Sequence, residues 1–268
     1  MIEAIEPART AAKPAGRLIA VYSGKGGSGA TTIAVNFACA LADNQRKNVV
    51  IVDLDLQYGD VASMFKTPDE HSTVVDLVTS SVVDLDEQVV DETLIKVADR
   101  VHVLAAPLRP ELGELVEAGV SQLGVVMTIL RYRFDVVVVD LGRHLGDAGA
   151  SVLDACDRVL LVTTPLTTSL KSLRLARGLL QQLQINDDRV EVVLNQPHEH
   201  TDFKSADVAD AIQRTLLASI PHDSRVAVMA IDSGEPFVLF RQRAAVSAAI
   251  LRTAESVMRT TQPVEVKA

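Results

Sequence analysis

The sequence lacks the features that mark secreted, disulfide-bonded and membrane-spanning proteins. Its only two cysteines, Cys39 and Cys156, provide neither a disulfide framework nor a zinc site. The longest apolar runs, such as Val136–Val139, are much shorter than the ~18–20 residues of a membrane span. Residues 1–16 contain no apolar core of the ~7–15 residues that a secretory signal needs. These absences predict a soluble, cytoplasmic protein.

Positive charge is also scarce, and this affects which partners are expected. The 268 residues carry 35 acidic and 26 basic side chains, with a formal net charge of −9 and a pI near 5.2. This acidic balance argues against a protein that coats nucleic acid. Lys171, Arg174 and Arg177 recur every three residues and could form a basic stripe, but a solvated helix face is the simpler interpretation on so acidic a chain.

Short apolar strands alternate with helical patterns along the chain. The strand candidates are Leu18–Tyr22, Val49–Asp53, Val101–Ala105, Val136–Asp140, Val159–Val162 and Val190–Leu194. The helical patterns are Thr32–Ala42, Glu111–Leu130, Leu170–Leu183 and an Ala-rich helix from about Gln242 to Met258. Strands rich in Val, Ile and Leu without polar alternation are typical of a sheet covered on both faces. The alternation therefore predicts an α/β fold, a doubly wound and mostly parallel sheet with helices on both faces.

No repeat, linker or low-complexity stretch divides the chain. We therefore expect one domain over residues 17–258. Residues 1–16 mix proline, alanine and charge without periodicity and are predicted to be a flexible tail, as are residues 259–268.

The segment between the first strand and the first helix is rich in glycine. It contains, in order, Gly24, Lys25, Gly26, Gly27, Ser28, Gly29, Ala30, Thr31 and Thr32. Glycines let the backbone curl with successive N–H groups pointing inward, and the positive end of the following helix completes a phosphate cradle. The spacing matches the P-loop frame G-x-x-x-x-G-K-[ST], with Thr31 placed to ligate Mg²⁺ and Ala30 standing where the lysine should be. The alternative is an ordinary glycine-rich turn from strand to helix.

These residues resemble the deviant Walker A motif of the MinD/ParA family, which has an additional signature lysine early in the loop, and Lys25 matches that lysine. The segment Val49–Gln57 resembles the family's D-x-D switch strand, and Phe134–Asp140 resembles its Walker B strand. The resemblance implies a P-loop ATPase that binds ATP and Mg²⁺ and forms a face-to-face homodimer around ATP.

The resemblance also implies a role for individual residues. Lys25 would reach the partner's nucleotide, and Asp55 would orient the attacking water. The metal would lie near Thr31, Asp53 and Asp140. The adenine side is matched by Asn195, Pro221 and Asp223, and the usual place of a phosphate-sensing switch loop is occupied by Gly142, Arg143, His144 and Gly146.

A narrower resemblance is to the CpaE/TadZ branch, whose proteins place and help assemble Flp/Tad-type pilus machinery. It is carried by the segments Leu54–Ala62, Val75–Leu77 and Leu104–Glu111, and loss of the loop lysine recurs in that branch. It implies a positioning protein with pilus-assembly or polar-localisation partners. Many CpaE proteins have a receiver-like domain before the ATPase; residues 1–16 are too few for one, so the chain either lacks that module or is a fragment.

The sequence leaves three functions open. The missing lysine removes one charge-assisted contact to the phosphates, roughly 1.5–3 kcal/mol, so binding can survive while hydrolysis is weakened. A slow ATPase switch and a non-hydrolysing nucleotide-binding scaffold are both compatible with this loss. A ParA-type DNA-partition or MinD-type division-site ATPase is the third possibility, although the acidic charge makes DNA an unfavoured partner.

Two other segments carry weaker signals. His198, Glu199 and His200 could suggest a metal site, but they lack the helical spacing of a zinc motif and are predicted to form a surface turn. Residues 259–268 lack the apolar face and cationic flank of a membrane-anchoring helix, so we expect no direct membrane anchor.

Overall fold

The computed structural model describes residues 15–196 and 203–259. The expectations for residues 1–14, for the turn at His198–His200 and for residues 260–268 lie outside this part of the chain. The described residues contain eight strands: Arg17–Tyr22 (β1), Val49–Asp53 (β2), Ile95–Ala98 (β3), Val101–Leu104 (β4), Val136–Asp140 (β5), Arg158–Thr163 (β6), Val190–Asn195 (β7) and Ala218–Ile220 (β8).

Helices connect and flank these strands. Their bounds are Ala30–Gln45 (α1), Val74–Val78 (α2), Glu87–Thr93 (α3), Gly113–Ala118 (α4), Val120–Arg133 (α5), Asp147–Ala155 (α6), Thr167–Gln182 (α7), Ser205–Ile212 (α8), Ser224–Ser233 (α9), Phe237–Phe240 (α10) and Ala245–Arg259 (α11).

The strands form one sheet in the order β3-β4-β2-β5-β1-β6-β7-β8. Only β3 pairs antiparallel with its neighbour, and all the other pairings are parallel. Side chains alternate between two cores: Leu18 and Ala20 of β1 pack with helices α2 to α8, whereas Ile19 and Val21 pack with α1, α9, α10 and α11. The doubly wound, mostly parallel α/β fold predicted from the sequence is confirmed.

The sheet topology brings distant segments to one edge. β1 leads directly into α1, yet its neighbours in the sheet are β5 and β6, from the middle of the chain. In open α/β sheets a crevice forms at the carboxyl ends of such strands. The glycine-rich loop after β1 therefore meets the residues that end β2 and β5.

Six of the eight strands were predicted, and two short edge strands were missed. The predicted bounds of β2 and β5 are those of the structure; β1, β4 and β7 differ by one residue at one end, and β6 differs by one residue at both ends. β3 contains the exposed Lys96 and is only partly buried, so it carries no apolar run. β8 has only three residues, too few to show a pattern.

The single helix predicted over Glu111–Leu130 is wrong. The chain forms α4 and α5 instead, which meet at Gly119 with a bend of 85°. A Cβ atom at Gly119 would lie 2.8 Å from the Cβ of Val78, so the glycine lets the chain turn closely against α2. Within the described residues no single helix is long and apolar enough to span a membrane. The two helices on either side of this bend reach the length and apolar composition of a span only when they are counted together.

Candidate functional site

The glycine-rich loop curls into the cradle expected from its sequence. Gly27 (φ 75°) and Gly29 (φ 80°) adopt left-handed backbone conformations, which L side chains rarely adopt. α1 begins at Ala30 immediately after Gly29, so its free N-terminal N–H groups and positive helix end face the loop. The loop and the helix end together form an anion-binding concavity.

Asn195, which ends β7, holds the loop in place. Its side-chain Nδ2 donates a hydrogen bond of 2.8 Å to the carbonyl oxygen of Ser28. A Cβ atom at Gly29 would overlap the same Nδ2. Gly29 is therefore required both by its backbone conformation and by the closeness of Asn195.

A polar cavity of about 230 Å³ opens over the loop, and we call it the phosphate cavity. One wall is the loop from Ser23 to Thr32, and the opposite wall comes from the segments after β2 and β5: Asp55, Asp60, Gly142 and Arg143. The structure thus gathers here most of the site residues proposed from the sequence. Asp60 was not singled out in the sequence, because its place depends on the path of the loop after β2.

Asp140 ends β5 at the floor of this site and is fully buried. Its Oδ1 accepts a hydrogen bond of 3.2 Å from the Gly142 N–H, and the Thr31 side chain lies beside the carboxylate. Its Oδ2 is buried and has no hydrogen-bond partner among the described residues. Burial raises the pKa of Asp140 to about 6, although the neighbouring Thr31 hydroxyl and the Gly142 N–H act to lower it.

Thr31 and Asp140 together suit a hard cation. Mg²⁺ prefers oxygen ligands and keeps several waters, so one hydroxyl and one carboxylate oxygen are an ordinary protein contribution. Thr31 supplies the hydroxyl. Asp140 supplies its Oδ2, a buried oxygen that accepts no hydrogen bond from the described residues and is therefore available to a cation. Their chemistry fits the metal that the sequence predicts here.

Asp53 organises the loop that follows β2. Its Oδ1 accepts a hydrogen bond from the Asp55 N–H and its Oδ2 accepts one from the Val61 N–H, each at 3.0 Å. Burial and the nearby Asp140 raise its pKa well above the usual value. Both Asp53 carboxylate oxygens accept hydrogen bonds from backbone N–H groups, so these contacts of Asp53 are structural. A role for Asp53 near the metal stays a prediction.

Asp55 lies against the loop that follows β5. Its Oδ1 accepts a hydrogen bond of 3.2 Å from the Tyr58 N–H. Gly142 has a φ of 59°, and a Cβ atom there would lie 2.6 Å from the Asp55 Cγ. The carboxylate is thereby directed into the phosphate cavity, where it could bind a water molecule.

Lys25 is held by the first turn of α7. Its Nζ donates hydrogen bonds of 2.7 Å to the Thr168 Oγ1 and 3.3 Å to the Ser169 Oγ. Ser169 is in turn 2.6 Å from the Thr164 hydroxyl oxygen. An ammonium group that reached another subunit would have to leave these hydroxyls. The sequence could not reveal this contact, because it joins residues 143 positions apart.

A second cavity, of about 220 Å³, adjoins the loop and is mainly apolar, and we call it the base groove. It shares Gly29 and Thr32 with the phosphate cavity and is also lined by Asn195, Pro221 and Asp223. The Asp223 Oδ1 caps α9 by accepting the Val226 N–H at 3.0 Å. Further lining comes from Ile33, Ile220, Ala227, Val228, Ile231, Phe237 and Val246.

Two of the three residues of the basic stripe considered on the sequence contact helix α8. Arg174 donates a hydrogen bond to the carbonyl oxygen of Ala211, and Arg177 donates one to that of Ile212. Arg177 also pairs with Asp187. These two arginines therefore bind the C-terminal end of α8, while Lys171 and Arg174 are exposed, as expected of a solvated helix face.

Residues 15–258 match the ParA family model, described as the NUBPL iron-transfer P-loop NTPase. The chain belongs to the ParA family of P-loop NTPases. Iron transfer is a property of the protein that gives the model its description and is not carried over to this chain. The MinD/ParA resemblance found in the sequence is confirmed, and the CpaE/TadZ branch stays a prediction.

Individual ParA-family proteins are similar over most of their length. The septum site-determining protein MinD of Thermotoga maritima is 26% identical over 230 residues, which cover 84% of this chain and 82% of that protein. The crystal structure of a ParA family ATPase from Chlorobium tepidum TLS has a TM-score of 0.83 at 24% identity, covering 90% of this chain and 99% of that one. MinD of Pyrococcus horikoshii OT3, complexed with Mg-ADP, has a TM-score of 0.74 at 21% identity, covering 90% and 96%.

Proposed function

We propose that this chain binds ATP and Mg²⁺ across the phosphate cavity and the base groove. The observation that carries the proposal is the glycine loop, which places Thr31 beside Asp140, a buried carboxylate with one unpartnered oxygen. The base groove adjoins the cavity at Gly29, so an adenine and its phosphates would lie in continuous space. The Mg-ADP complex of a MinD relative supports this arrangement.

The bound nucleotide is hydrolysed slowly in this proposal. Phosphoryl transfer depends on positive charge placed against the transition state, and Ala30 removes the charge that a P-loop lysine would supply. Asp55 remains directed into the cavity to position water. The second candidate is a scaffold that binds nucleotide without hydrolysis, and Ala30 is the observation that favours it.

ATP would act by joining two copies of the chain. Lys25 leaves Thr168 and Ser169 in this proposal and contacts the nucleotide of the other subunit, as the signature lysine of the family implies. The ATP dimer then presents a surface to partner proteins, so nucleotide state controls binding by population shift. Both the base groove and the phosphate cavity are open to solvent at the carboxyl ends of the strands. A second copy of the chain could therefore reach a nucleotide bound there, as a switch of this kind requires.

We further propose a positioning role in pilus assembly, with pilus-assembly or polar-localisation proteins as partners. Its support is the resemblance of Leu54–Ala62, Val75–Leu77 and Leu104–Glu111 to the CpaE/TadZ branch. Division-site or DNA-partition roles, as in other members of the family, are the alternatives. Arg174 and Arg177 of α7 donate hydrogen bonds to carbonyl oxygens of α8, which disfavours a DNA contact through this face of α7.

Nucleotide titration followed by a steady-state phosphate-release assay tests the proposal. Wild type should bind Mg-ATP and release phosphate slowly, and Asp55→Asn should bind ATP but lose the release, since it keeps an acceptor for Tyr58 and removes the carboxylate. The exposed Asp69→Asn is a matched control that should behave as wild type. Binding without release above the Asp55→Asn background would establish the scaffold, and absence of Mg-ATP binding would overturn both functions.

A further inference from the structure

The phosphate cavity contains little positive charge for a site that would bind a polyanion. Asp55 and Asp60 line it, and the buried Asp140 lies behind Thr31, which also lines it. Among its described lining residues, Lys25 and Arg143 are the two cations. The Lys25 ammonium is already bonded to two hydroxyls of α7. Arg143 is therefore the cation in this cavity that can turn to a phosphate without first leaving a hydrogen bond.

Arg143 lies directly over the glycine loop. It follows Gly142, whose left-handed conformation turns the chain toward the loop. Its Nη1 is 3.4 Å from the position that a Cβ atom on Gly26 would occupy, so the missing side chain at Gly26 leaves room for the guanidinium. Its Cζ is 5.8 Å from the ring centroid of Tyr58, a cation–π contact. No salt bridge among the described residues includes Arg143.

We propose that Arg143 binds the outer phosphates of the nucleotide and supplies the positive charge that Ala30 lacks. This inference rests on the proposed nucleotide binding. A guanidinium presents five donors and pairs with phosphate through two of them at once, so one arginine can replace the contact of a lysine. Tyr58 holds the guanidinium beside the loop before the ligand arrives, which lowers the ordering cost of binding.

A surface arginine stacked on an aromatic ring for packing alone is the competing explanation. The chain offers a matched case, because Arg241 lies over the Phe240 ring at 5.9 Å and lines neither the phosphate cavity nor the base groove. Arg241→Ala removes the same type of residue and contact outside the phosphate cavity. It serves as the control for Arg143→Ala.

The test is the affinity for Mg-ATP, measured by calorimetric titration of wild type, Arg143→Ala and Arg241→Ala. Arg143→Ala should bind about ten- to a hundredfold more weakly, the loss expected for one charge-assisted hydrogen bond. Arg241→Ala should bind as wild type does. The melting temperature of each variant without nucleotide should stay near that of wild type, because Arg143 is exposed and its guanidinium packs on the exposed Tyr58 ring.

Ala30→Lys provides a second, independent readout. If Arg143 supplies the charge that the lysine would give, Ala30→Lys should raise the affinity more in the Arg143→Ala background than in wild type. Equal gains in both backgrounds would overturn the inference, as would unchanged affinity in Arg143→Ala. If wild type itself fails to bind Mg-ATP, the proposed function fails and this inference fails with it.

Discussion

Asp53 and Asp140 end neighbouring parallel strands directly opposite each other, and both carboxyl groups are buried. Burial raises the pKa of both carboxyl groups; the charge of Asp140 raises that of Asp53 further, and the charges of Asp55 and Asp60 raise that of Asp140. Such a pair is unfavourable in the absence of a cation. We infer that a divalent cation beside Asp140 would stabilise the charged form of these carboxylates and so remove the destabilisation.

Replacing Asp140 with asparagine should therefore stabilise the protein when Mg²⁺ is absent. The pKa of Asp140 is about 6 in the folded protein, above the ordinary value of 3.8 that applies to the unfolded chain. The wild type thus loses stability relative to Asp140→Asn as pH rises from about 4 to about 6, by on the order of 2 kcal/mol. Thermal melting without metal between pH 4 and pH 7.5 measures this difference.

The same variant should lose its response to the ligand. Mg-ATP should raise the melting temperature of wild type at pH 7.5 and leave Asp140→Asn nearly unchanged, because the buried acceptor for the cation is gone. An Asp140→Asn protein that melts below wild type without metal, or that responds to Mg-ATP as wild type does, would contradict this account of the pair.

The contact between Asn195 and the glycine loop should contribute to affinity for ATP and ADP alike. Asn195→Ala removes the hydrogen bond to the Ser28 carbonyl, worth about 1 kcal/mol, and loosens the cradle that both nucleotides would use. Asn44→Ala is the control, since Asn44 makes a similar side-chain bond to Glu255 far along α1. Titrations should show about a fivefold loss for Asn195→Ala with either nucleotide. A loss confined to ATP, or the same loss in Asn44→Ala, would refute the assignment.

The break between α4 and α5 should depend on the small size of Gly119. Gly119→Ala would place a Cβ atom 2.8 Å from the Val78 Cβ, and we expect a destabilisation of about 1–3 kcal/mol from this overlap. Gly124 lies inside α5 with nothing within 4 Å of its Cβ position, so Gly124→Ala should stabilise by about 0.5–1 kcal/mol. Denaturant unfolding of both variants measures the contrast, and equal effects would show that the bend has another cause.

The parts of the fold that the sequence predicts are those governed by local pattern. Val49–Asp53 and Val136–Asp140 are continuous apolar runs ended by a carboxylate, and the structure has strands with those bounds. The turn at Gly119 was missed because a helical period continues across it, and only the closeness of α2 forces the break.

The candidate site was predictable in its residue types but not in its contacts. Spacing identified the glycine loop and the carboxylates at the strand ends. The bonds from Lys25 to α7, the occupation of both Asp53 oxygens by backbone N–H groups and the position of Arg143 over Gly26 depend on how separate segments meet at the sheet edge.

In the proposed ATP dimer, Lys25 acts on the nucleotide of the other copy of the chain. Lys25→Ala should leave the fold intact, because the bonds it removes to Thr168 and Ser169 are partly exposed. It should abolish the ATP-dependent dimer, because no other residue would then bring the signature charge to the partner's nucleotide. Thr168→Val, which removes the 2.7 Å bond and keeps the lysine, should preserve the dimer.

Solution mass by light scattering, first with Mg-ATP and then with Mg-ADP, tests whether the nucleotide controls dimerisation. We expect about twice the 28.8 kDa chain mass with Mg-ATP and a single chain with Mg-ADP. The same mass in both nucleotides would contradict a nucleotide-controlled switch.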